Sequence, residues 1–455
     1  MYQSKNPFTQ VVEKKYNSLN DKSLIKKLEL SKEAFGLWKQ QCFESRSNLL
    51  NKVANLLDER KQQYGRLITL EMGKPITQSV GEIEKCAWVC RYYAENSAEF
   101  LKSRRMESSA QMSQINFEPL GTIFGVMPWN FPFWQVFRFI VPNLMAGNAT
   151  LLKHASNVPQ CAEAIETVLT DAGVPKVLFQ NLFICHKQVE RVIASPVVKA
   201  VTFTGSNSAG SRIAQLAGKY IKKSVLELGG SDPFIVFDDA DLNLALEQAL
   251  LAKFLNAGQS CIAAKRFLVH QDIAMDFISN FESLIENLEL GNPMDKDTFI
   301  GPIVNIDALK ELHEKVMKSI KMGAICVTGG ERSENMATVY KPTLLINVPE
   351  ESPVWREEIF GPIAVIKVFE TDEEAIELAN DTQFGLGASI WTQDNDKATW
   401  ACKHINAGIV SVNGIVKSEP GLPFGGINGS GYGRELSDYG IFEFVNIKAV
   451  SYYAS

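Results

Sequence analysis

Apolar residues recur at helical spacing over the first hundred residues of the chain. Leu24, Leu28 and Phe35 follow this spacing, which predicts helices over residues 21–104. One of these helices is predicted to begin near Ile76, just after a Gly-Lys-Pro segment. The amino-terminal quarter of the chain is therefore expected to be helical.

Residues 105–124 have a different pattern, polar and alternating, which predicts a two-stranded excursion. A hairpin that buries so little apolar surface is marginally stable by itself. We therefore expect it to add to another sheet. An exposed loop is the alternative.

From residue 121 onward strands alternate with helices, a pattern typical of a parallel α/β sheet. A buried strand over 122–127 precedes a helix over 133–145. A second alternation starts near Ser231 and continues to about Val412. The chain is therefore predicted to be an α/β protein with two alternating blocks.

Composition indicates an ordinary globular chain of two or three domains. The 455 residues are 45% hydrophobic and 22% charged. The net charge of −6 does not indicate a basic surface for binding nucleic acid. No apolar run reaches membrane-spanning length, and the amino terminus lacks the features of a secretory signal. The eight cysteines show neither a disulfide framework nor a zinc-ligand pattern, so we expect no metal. These features predict a cytoplasmic protein with reduced thiols.

One cysteine occupies a position suited to chemistry. Cys261 follows the small polar linker 256–260, between a helix predicted over 242–255, with Asp241 as its cap, and a strand over 267–270. A tight turn between a helix and a strand can present sulfur at a cleft. The alternative is a buried thiol without chemistry, since free cysteine behaves as a small hydrophobe.

A stiff turn follows the strand over 122–127. It reads Pro128-Trp-Asn-Phe-Pro132 and lies at the strand end where open parallel sheets bind ligands. Two prolines stiffen the turn, so Asn130 can aim an amide donor at a developing oxyanion. The alternative is that Asn130 satisfies local backbone groups.

Two further motifs lie at predicted strand ends. Residues 205–210 precede a helix predicted to begin at Ser211, where backbone N–H groups can bind phosphate. The spacing of these residues matches neither the dinucleotide-binding fingerprint nor a P-loop, so the alternative is an ordinary turn between a strand and a helix. Glu227 ends an otherwise apolar strand. Burial would raise its pKa and suit it to general-base work, unless it faces solvent.

In their order and combination these motifs resemble the aldehyde dehydrogenase family over nearly the whole chain. Within the family the chain is most similar to the NAD(P)-dependent succinate-semialdehyde dehydrogenases, through segments 152–156, 223–233 and 258–266. The family resemblance rests on Pro128-Trp-Asn-Phe-Pro, Thr204-Gly-Ser, Glu227-Leu-Gly-Gly, Gly258-Gln-Ser-Cys, Glu358-Ile-Phe-Gly-Pro and Pro423-Phe-Gly-Gly.

The resemblance implies a Rossmann-like cofactor domain, a related α/β catalytic domain and a small β flap for oligomer contacts. The cofactor domain would comprise residues 1–100 and 121–229, and the catalytic domain residues 230–435. The flap would comprise residues 101–120 and 436–455. Family members are dimers or tetramers, so a homodimer or homotetramer is expected.

The resemblance also implies oxidation of an aldehyde to a carboxylic acid. The Cys261 thiolate attacks the aldehyde carbon, and the Asn130 amide and the Cys261 backbone N–H hold the oxyanion. A hydride passes to NAD or NADP, and Glu227 activates the water that releases the acid. Another aliphatic or aromatic aldehyde is the alternative substrate. A catalytically silent member of the fold is the remote alternative.

The cofactor contacts that the resemblance implies lie on several motifs. Lys153 binds the adenine ribose, and Ser156 replaces a glutamate that often repels a 2′-phosphate, so NADP should be accepted alongside NAD. Glu358 holds the nicotinamide ribose, and Phe360 packs against the nicotinamide ring. The remaining cofactor contacts are Trp129, Gly205, Ser206 and Gly210.

The substrate expected from the resemblance is succinate semialdehyde. Its carboxylate needs a positive partner, and Arg138 and Ser418 match the residues that bind it in succinate-semialdehyde dehydrogenases. An exposed helix charge is the alternative for Arg138, although its neighbours are apolar. Some relatives have a second arginine where this chain has Leu255, so the carboxylate preference should be softened.

Overall fold

The computed structural model describes residues 2–453. Met1, Ala454 and Ser455, at the outer ends of the ranges predicted for the cofactor domain and the flap, lie outside the described residues. The strands, in chain order, are β1 Tyr2–Lys5, β2 Val12–Tyr16, β3 Arg104–Met106, β4 Met112–Pro119, β5 Thr122–Met127, β6 Ala149–His154, β7 Phe179–Asn181, β8 Val198–Thr204, β9 Lys223–Glu227, β10 Asp232–Val236, β11 Ala264–His270, β12 Ile325–Thr328, β13 Thr343–Ile346, β14 Ile363–Phe369, β15 Gly387–Trp391, β16 Ile409–Val412, β17 Gly431–Tyr432 and β18 Val445–Tyr452.

The helices confirm the pattern predicted for residues 21–104, including a start at Ile76. Asp241 accepts a hydrogen bond from the Leu244 N–H, as its predicted role as a cap requires. The helices are α1 Asp21–Trp38, α2 Phe43–Glu59, α3 Lys61–Met72, α4 Ile76–Phe100, α5 Trp134–Ala146, α6 Pro159–Asp171, α7 His186–Ala194, α8 Asn207–Lys219, α9 Leu242–Phe254, α10 Gln271–Glu286, α11 Ile306–Lys321, α12 Pro353–Arg356, α13 Asp372–Asn380, α14 Asn395–His404 and α15 Ser437–Phe442.

Six strands form the first large sheet, in the order β17-β9-β8-β5-β6-β7. Every neighbouring pair is parallel except β17 with β9. The carboxyl ends of β5, β8 and β9 therefore meet at one edge of the sheet. The Asn130 turn, the Gly205 loop and Glu227 follow or end these strands, so the topology brings three predicted site segments to the same edge.

Seven strands form the second large sheet, in the order β12-β13-β14-β11-β10-β15-β16. All pairs are parallel except β12 with β13. Residues 228–231 alone connect β9 of the first sheet to β10 of the second. The strand–helix alternation predicted from the sequence thus produces two separate α/β sheets that adjoin at this connection.

A third sheet joins the two ends of the chain. Strand β18 pairs antiparallel with the whole of β4, from Val445 opposite Pro119 to Tyr452 opposite Met112, and β3 pairs with the other side of β4. The polar hairpin formed by β3 and β4 therefore pairs with another strand, β18, as predicted, and the exposed-loop alternative is wrong. Nothing in the local pattern indicated the hairpin β1-β2, which is held by contacts such as the hydrogen bond from the Tyr2 hydroxyl to the Ile184 carbonyl.

No helix within residues 2–453 combines the length and the apolar character needed to cross a bilayer.

Candidate active site

A cavity of about 440 Å³ lies where the first sheet, the turn after α9 and helix α11 meet. Its walls include the segments that follow β5, β8 and β9, which is where open parallel sheets bind their ligands. The predicted site residues that line it are Trp129, Asn130, Gly205, Ser206, Cys261, Glu358 and Phe360. The predicted residues outside this lining are Glu227, Lys153, Ser156, Gly210, Arg138 and Ser418.

The turn that carries Cys261 has a strained backbone. Asn256, Ala257 and Gly258 have φ values of 55°, 52° and 69°, all in the left-handed region. Such a conformation costs about 1–3 kcal/mol for a residue other than glycine, so the surrounding contacts must hold it. A Cβ on Gly258 would lie 2.1 Å from the Gly361 carbonyl oxygen. Glycine is therefore required where this turn touches the segment that holds Glu358 and Phe360.

A buried lysine holds the carbonyl groups around the thiol. The Lys265 Nζ donates to the carbonyl oxygens of Cys261 at 2.8 Å, Ser260 at 3.0 Å and Ala263 at 3.2 Å. A lysine ammonium has three donors, and these contacts use all of them. Lys265 was missed as a site residue because its sequence neighbours do not reveal which way it points.

The Cys261 thiol holds its proton tightly. Burial raises its pKa to about 12, although the positive charges of Arg138 and Lys265 oppose the shift. The thiolate is the nucleophilic form of cysteine. The two nearby cations are therefore the groups on the described chain that favour this form.

Asn130 is tied to the same turn as the thiol. Its Nδ2 donates to the Gln259 carbonyl at 3.1 Å, and its Oδ1 accepts from Gln135 Nε2 at 3.1 Å. The Asn256 side chain also donates to the Asn130 carbonyl, at 3.0 Å. The Asn130 amide therefore has a fixed orientation with one N–H left over. The alternative of purely local contacts is wrong, since Gln259 is far away in sequence.

Glu227 ends β9 as a buried carboxyl, so the solvent-facing alternative is wrong. Neither of its carboxyl oxygens has a hydrogen-bond partner among residues 2–453. Burial raises the pKa of Glu227 well above its usual range, and the nearby Glu435 raises it further, while Arg138 lowers it. A buried carboxyl with a high proton affinity and unused oxygens has the properties of a general base for water.

Arg138 is buried rather than exposed, which rules out an exposed helix charge. It is 3% exposed, forms an ion pair through Nε with Glu435, and lies 4.4 Å from the centroid of the Phe424 ring. Its Nη2 makes no hydrogen bond to the described residues. Glu435 could not be identified as its partner from the sequence, because the two residues meet only in the folded chain.

Ser418 lies beside a second cation. Its Oγ accepts hydrogen bonds from Lys85 Nζ and from Trp134 Nε1, both at 2.9 Å. The Lys85 Nζ also lies 4.3 Å from the centroid of the Trp134 ring. Lys85 is half-buried on α4, and burial, followed by the charge of Arg138, lowers its pKa to about 8. Nothing in the helical pattern of α4 marked this lysine as part of a site.

The loop after β8 differs from its predicted form. Helix α8 begins at Asn207 rather than at Ser211, so Gly210 lies inside its first turn. The Gly210 N–H donates to the Ser206 carbonyl at 2.9 Å, and a Cβ there would lie 2.4 Å from Leu228. The Gly210 N–H is therefore not free to bind phosphate, and this glycine makes room for Leu228 instead.

The loop after β8 nevertheless offers unused polar groups to a ligand in the cavity. Ser206 makes no side-chain cap bond to α8, so the N–H groups of the first turn face the cavity region without a capping side chain. Thr204 Oγ1, also on the lining, is buried without a hydrogen-bond partner among the described residues. These unused polar groups are suited to a phosphate-containing ligand.

Glu358 and two aromatic rings form the other side of the cavity. Glu358 Oε1 accepts from the Gly230 N–H at 3.1 Å, and burial raises the pKa of its carboxyl, while Lys265 opposes the shift. The rings of Trp129 and Phe360 meet edge to face, with centroids 5.8 Å apart. A carboxyl beside a flat apolar wall suits a ribose and an aromatic ring.

Lys153 and Ser156 lie at and just beyond the end of β6. Lys153 is buried, and burial lowers its pKa. Ser156 is exposed, and its carbonyl accepts from the Gln3 N–H at 3.0 Å. Because β6 is the neighbour of β5, both residues lie on the cavity edge of the first sheet.

The chain is similar to known proteins over nearly its whole length. The model of the aldehyde dehydrogenase family matches residues 1–450. A probable NADP-dependent succinate-semialdehyde dehydrogenase of Synechocystis is 48% identical, with 93% of each chain covered. The NAD(P)-dependent succinate semialdehyde dehydrogenase of Escherichia coli is 42% identical, with 93% of this chain and 92% of that protein covered.

A solved structure shows the same architecture. The crystal structure of the succinic semialdehyde dehydrogenase from Streptococcus pyogenes in complex with NADP⁺ has a TM-score of 0.98 against this chain. The two are 35% identical, and the match covers 100% of each. From its sequence, its fold and the arrangement of its cavity, the chain belongs to the aldehyde dehydrogenase family.

Proposed function

We propose that this protein oxidises succinate semialdehyde to succinate, with NADP or NAD as the oxidant, through a thioester on Cys261. The observation that carries the proposal is the hydrogen bond from the Asn130 amide to the carbonyl of Gln259, two residues before Cys261. This bond holds the amide against the turn that carries the thiol. The relatives described above support the choice of substrate and cofactor, since three of them are named for this substrate and for NADP or NAD(P).

The chemistry starts at the thiol. Arg138 and Lys265 favour the thiolate of Cys261, which attacks the aldehyde carbon and forms a thiohemiacetal. The free N–H of Asn130 and the Cys261 backbone N–H hold the oxygen that becomes negative. This oxyanion site does not need to reorganise during the reaction, because Gln135 and Gln259 already fix the amide.

A nicotinamide cofactor would supply the hydride acceptor that oxidation of the thiohemiacetal to the thioester requires. The residues proposed to hold this cofactor are Trp129, Lys153, Ser156, Gly205, Ser206, Glu358 and Phe360. Ser156 is small and neutral beside the positive Lys153, so a 2′-phosphate meets no repulsion there. Both NADP and NAD are therefore accepted.

Glu227 completes the reaction. Its buried carboxyl, once ionised, takes a proton from water, and the hydroxide equivalent attacks the thioester carbon. Succinate leaves, and Cys261 is released. No residue within 2–453 donates a hydrogen bond to either carboxyl oxygen of Glu227, so both oxygens are able to contact that water.

The substrate carboxylate is proposed to bind at Arg138 and Ser418. Arg138 has an unused buried donor in Nη2, and Ser418 has a hydroxyl hydrogen, since its oxygen already accepts two bonds. Both residues are anchored on or against α5, the helix that follows the Asn130 turn. A short aldehyde attached to Cys261 can thus be held at both ends.

A kinetic comparison tests this function. The purified protein is mixed with NADP or NAD and with succinate semialdehyde, butanal or hexanal, and the reduced cofactor is followed by absorbance. We expect the highest kcat/KM for succinate semialdehyde and no turnover by Cys261→Ala with any aldehyde. Faster oxidation of butanal than of succinate semialdehyde would contradict the substrate assignment.

The domain division is part of the same proposal. Residues 1–100 and 121–229 form the cofactor domain, residues 230–435 the catalytic domain, and residues 101–120 with 436–455 the flap. The flap is proposed to join copies of the chain into a homodimer or homotetramer. The proposed location is the cytoplasm, where free thiols such as those of the eight unpaired cysteines persist.

A further inference from the structure

Lys85 presents unused donors beside the proposed carboxylate site. Of its three ammonium hydrogens one is directed at Ser418 Oγ, 2.9 Å away, and no hydrogen bond to another described residue uses the others. Ser418 Oγ accepts from both Lys85 and Trp134, so its own hydrogen is free to be donated. Lys85 and Ser418 together therefore offer several N–H and O–H donors and no free acceptor, which is the arrangement an anion requires.

Lys85 and Arg138 differ in how their charges are balanced. Arg138 forms a buried ion pair with Glu435, so that pair is close to neutral. No carboxylate among residues 2–453 forms an ion pair with Lys85. Glu82 is paired with Lys74, and Glu419, next to Ser418, raises the pKa of Lys85 without forming an ion pair. The net positive charge of the cluster therefore comes from Lys85.

Helix α5 ties Lys85 to the rest of the site. Trp134, which contacts Lys85 with its ring and Ser418 with its indole N–H, lies one turn before Arg138 on the same helical face. The charge of Arg138 acts on both Lys85 and Cys261. Arg138 therefore lies within electrostatic range of both the Lys85 ammonium and the Cys261 thiol.

We propose that Lys85 is a second cation for the substrate carboxylate and binds it together with Ser418 and Arg138. The inference rests on the proposed function and extends it. Lys85 supplies from α4 the positive charge that some relatives place at the position of Leu255. The preference for an ω-carboxy aldehyde is then stronger than the single arginine in the sequence implies.

The test compares succinate semialdehyde with butanal, an uncharged aldehyde of the same carbon number. Lys85→Met should raise the KM for succinate semialdehyde about 10- to 100-fold, the effect of losing a charged hydrogen bond, with kcat changed much less. Lys85→Arg, which keeps the charge, should retain most of the preference. Lys61→Met is the matched control, since it removes an exposed lysine from an ion pair with Glu84 and should leave the preference unchanged.

A binding measurement separates recognition from turnover. Succinate should inhibit butanal oxidation by the wild-type protein competitively, and much less in Lys85→Met. Lys85→Gln serves the same purpose if the methionine variant is insoluble. An equal loss for both aldehydes would assign Lys85 a structural role in joining α4 to Ser418, and would overturn the inference.

The two proposals fail in different ways. If the wild-type protein prefers succinate semialdehyde and Lys85→Met and Lys85→Gln keep that preference, the inference is wrong and the proposed function stands. If the wild-type protein shows no preference for the carboxylate and no inhibition by succinate, the proposed substrate is wrong and the inference falls with it.

Discussion

At the scale of single residues, the site depends on groups whose charge or proton affinity is changed by burial. Glu227 and Cys261 both hold their protons more tightly than in water, because burial disfavours their charged forms. Arg138 opposes the shift in both. One buried cation, Arg138, therefore favours the ionised forms of both Cys261, the proposed nucleophile, and Glu227, the proposed base.

The first prediction concerns Glu227. In Glu227→Gln the thiol can still react but water is not activated, so we expect a burst of up to one reduced cofactor per site followed by much slower turnover. Rapid-mixing absorbance measures the burst. Wild-type steady-state turnover in this variant would contradict the assignment of Glu227 as the base.

The second prediction concerns Ser156. Ser156→Glu places a negative charge near the site proposed for the 2′-phosphate, so the KM for NADP should rise on the order of tenfold while that for NAD changes little. Ser156→Gln is the neutral control of the same size and should affect both cofactors alike. Equal losses with NADP and NAD in Ser156→Glu would show that this residue does not discriminate between the two cofactors.

At the scale of elements, the turn between α9 and β11 is the part most constrained by its neighbours. Three consecutive left-handed residues precede the thiol, and Lys265 binds three carbonyl groups around it. Local sequence indicated the turn through its small residues and Gly258. The tertiary contacts of Lys265 and of the Gly361 carbonyl hold it in place.

The third prediction tests this constraint. A Cβ in Gly258→Ala would lie 2.1 Å from the Gly361 carbonyl oxygen, so the turn must shift and displace the thiol. We expect kcat to fall about 100-fold, the effect of a misplacement near 1 Å. In the control Gly36→Ala, the new methyl meets nothing within 4 Å and kcat should be unchanged. A Gly258→Ala protein with normal kcat would show that the turn tolerates the shift.

At the scale of the whole molecule, the three-stranded sheet ends in an exposed edge. β18 lies at that edge, and Ile447 on it is 59% exposed. Unpaired strand edges readily join another chain. The proposed oligomer would cover this edge and its apolar side chains.

The fourth prediction follows from this edge. Ile447→Asp should weaken the oligomer and yield smaller species in sedimentation-velocity analysis, because association would bury an unpaired charge. Met275→Asp, at another exposed apolar residue on α10, is the control and should leave the sedimentation pattern unchanged. An unchanged pattern in Ile447→Asp would place the interface elsewhere.

Elements and motifs were largely predictable from the sequence because their signals are local. Helical periodicity identified α1 to α4, alternation identified the two α/β blocks, and turn chemistry placed Cys261 between α9 and β11. The lone Glu227 among apolar residues also predicted the direction of its pKa shift. The start of α8 was wrong by four residues, since boundaries depend on caps and packing as well as on pattern.

Only the tertiary structure decided which residues are the partners of the charged and polar groups. Arg138 meets Glu435, and Lys85 meets Ser418, across separations of hundreds of residues that no local pattern encodes. The packing of Gly210 against Leu228 likewise follows from the approach of two elements. The sequence by itself thus determined the family, the fold class and the residue types of the chemistry. Folding decided which buried charges are neutralised and which stay available, because that depends on distances between segments remote in the chain.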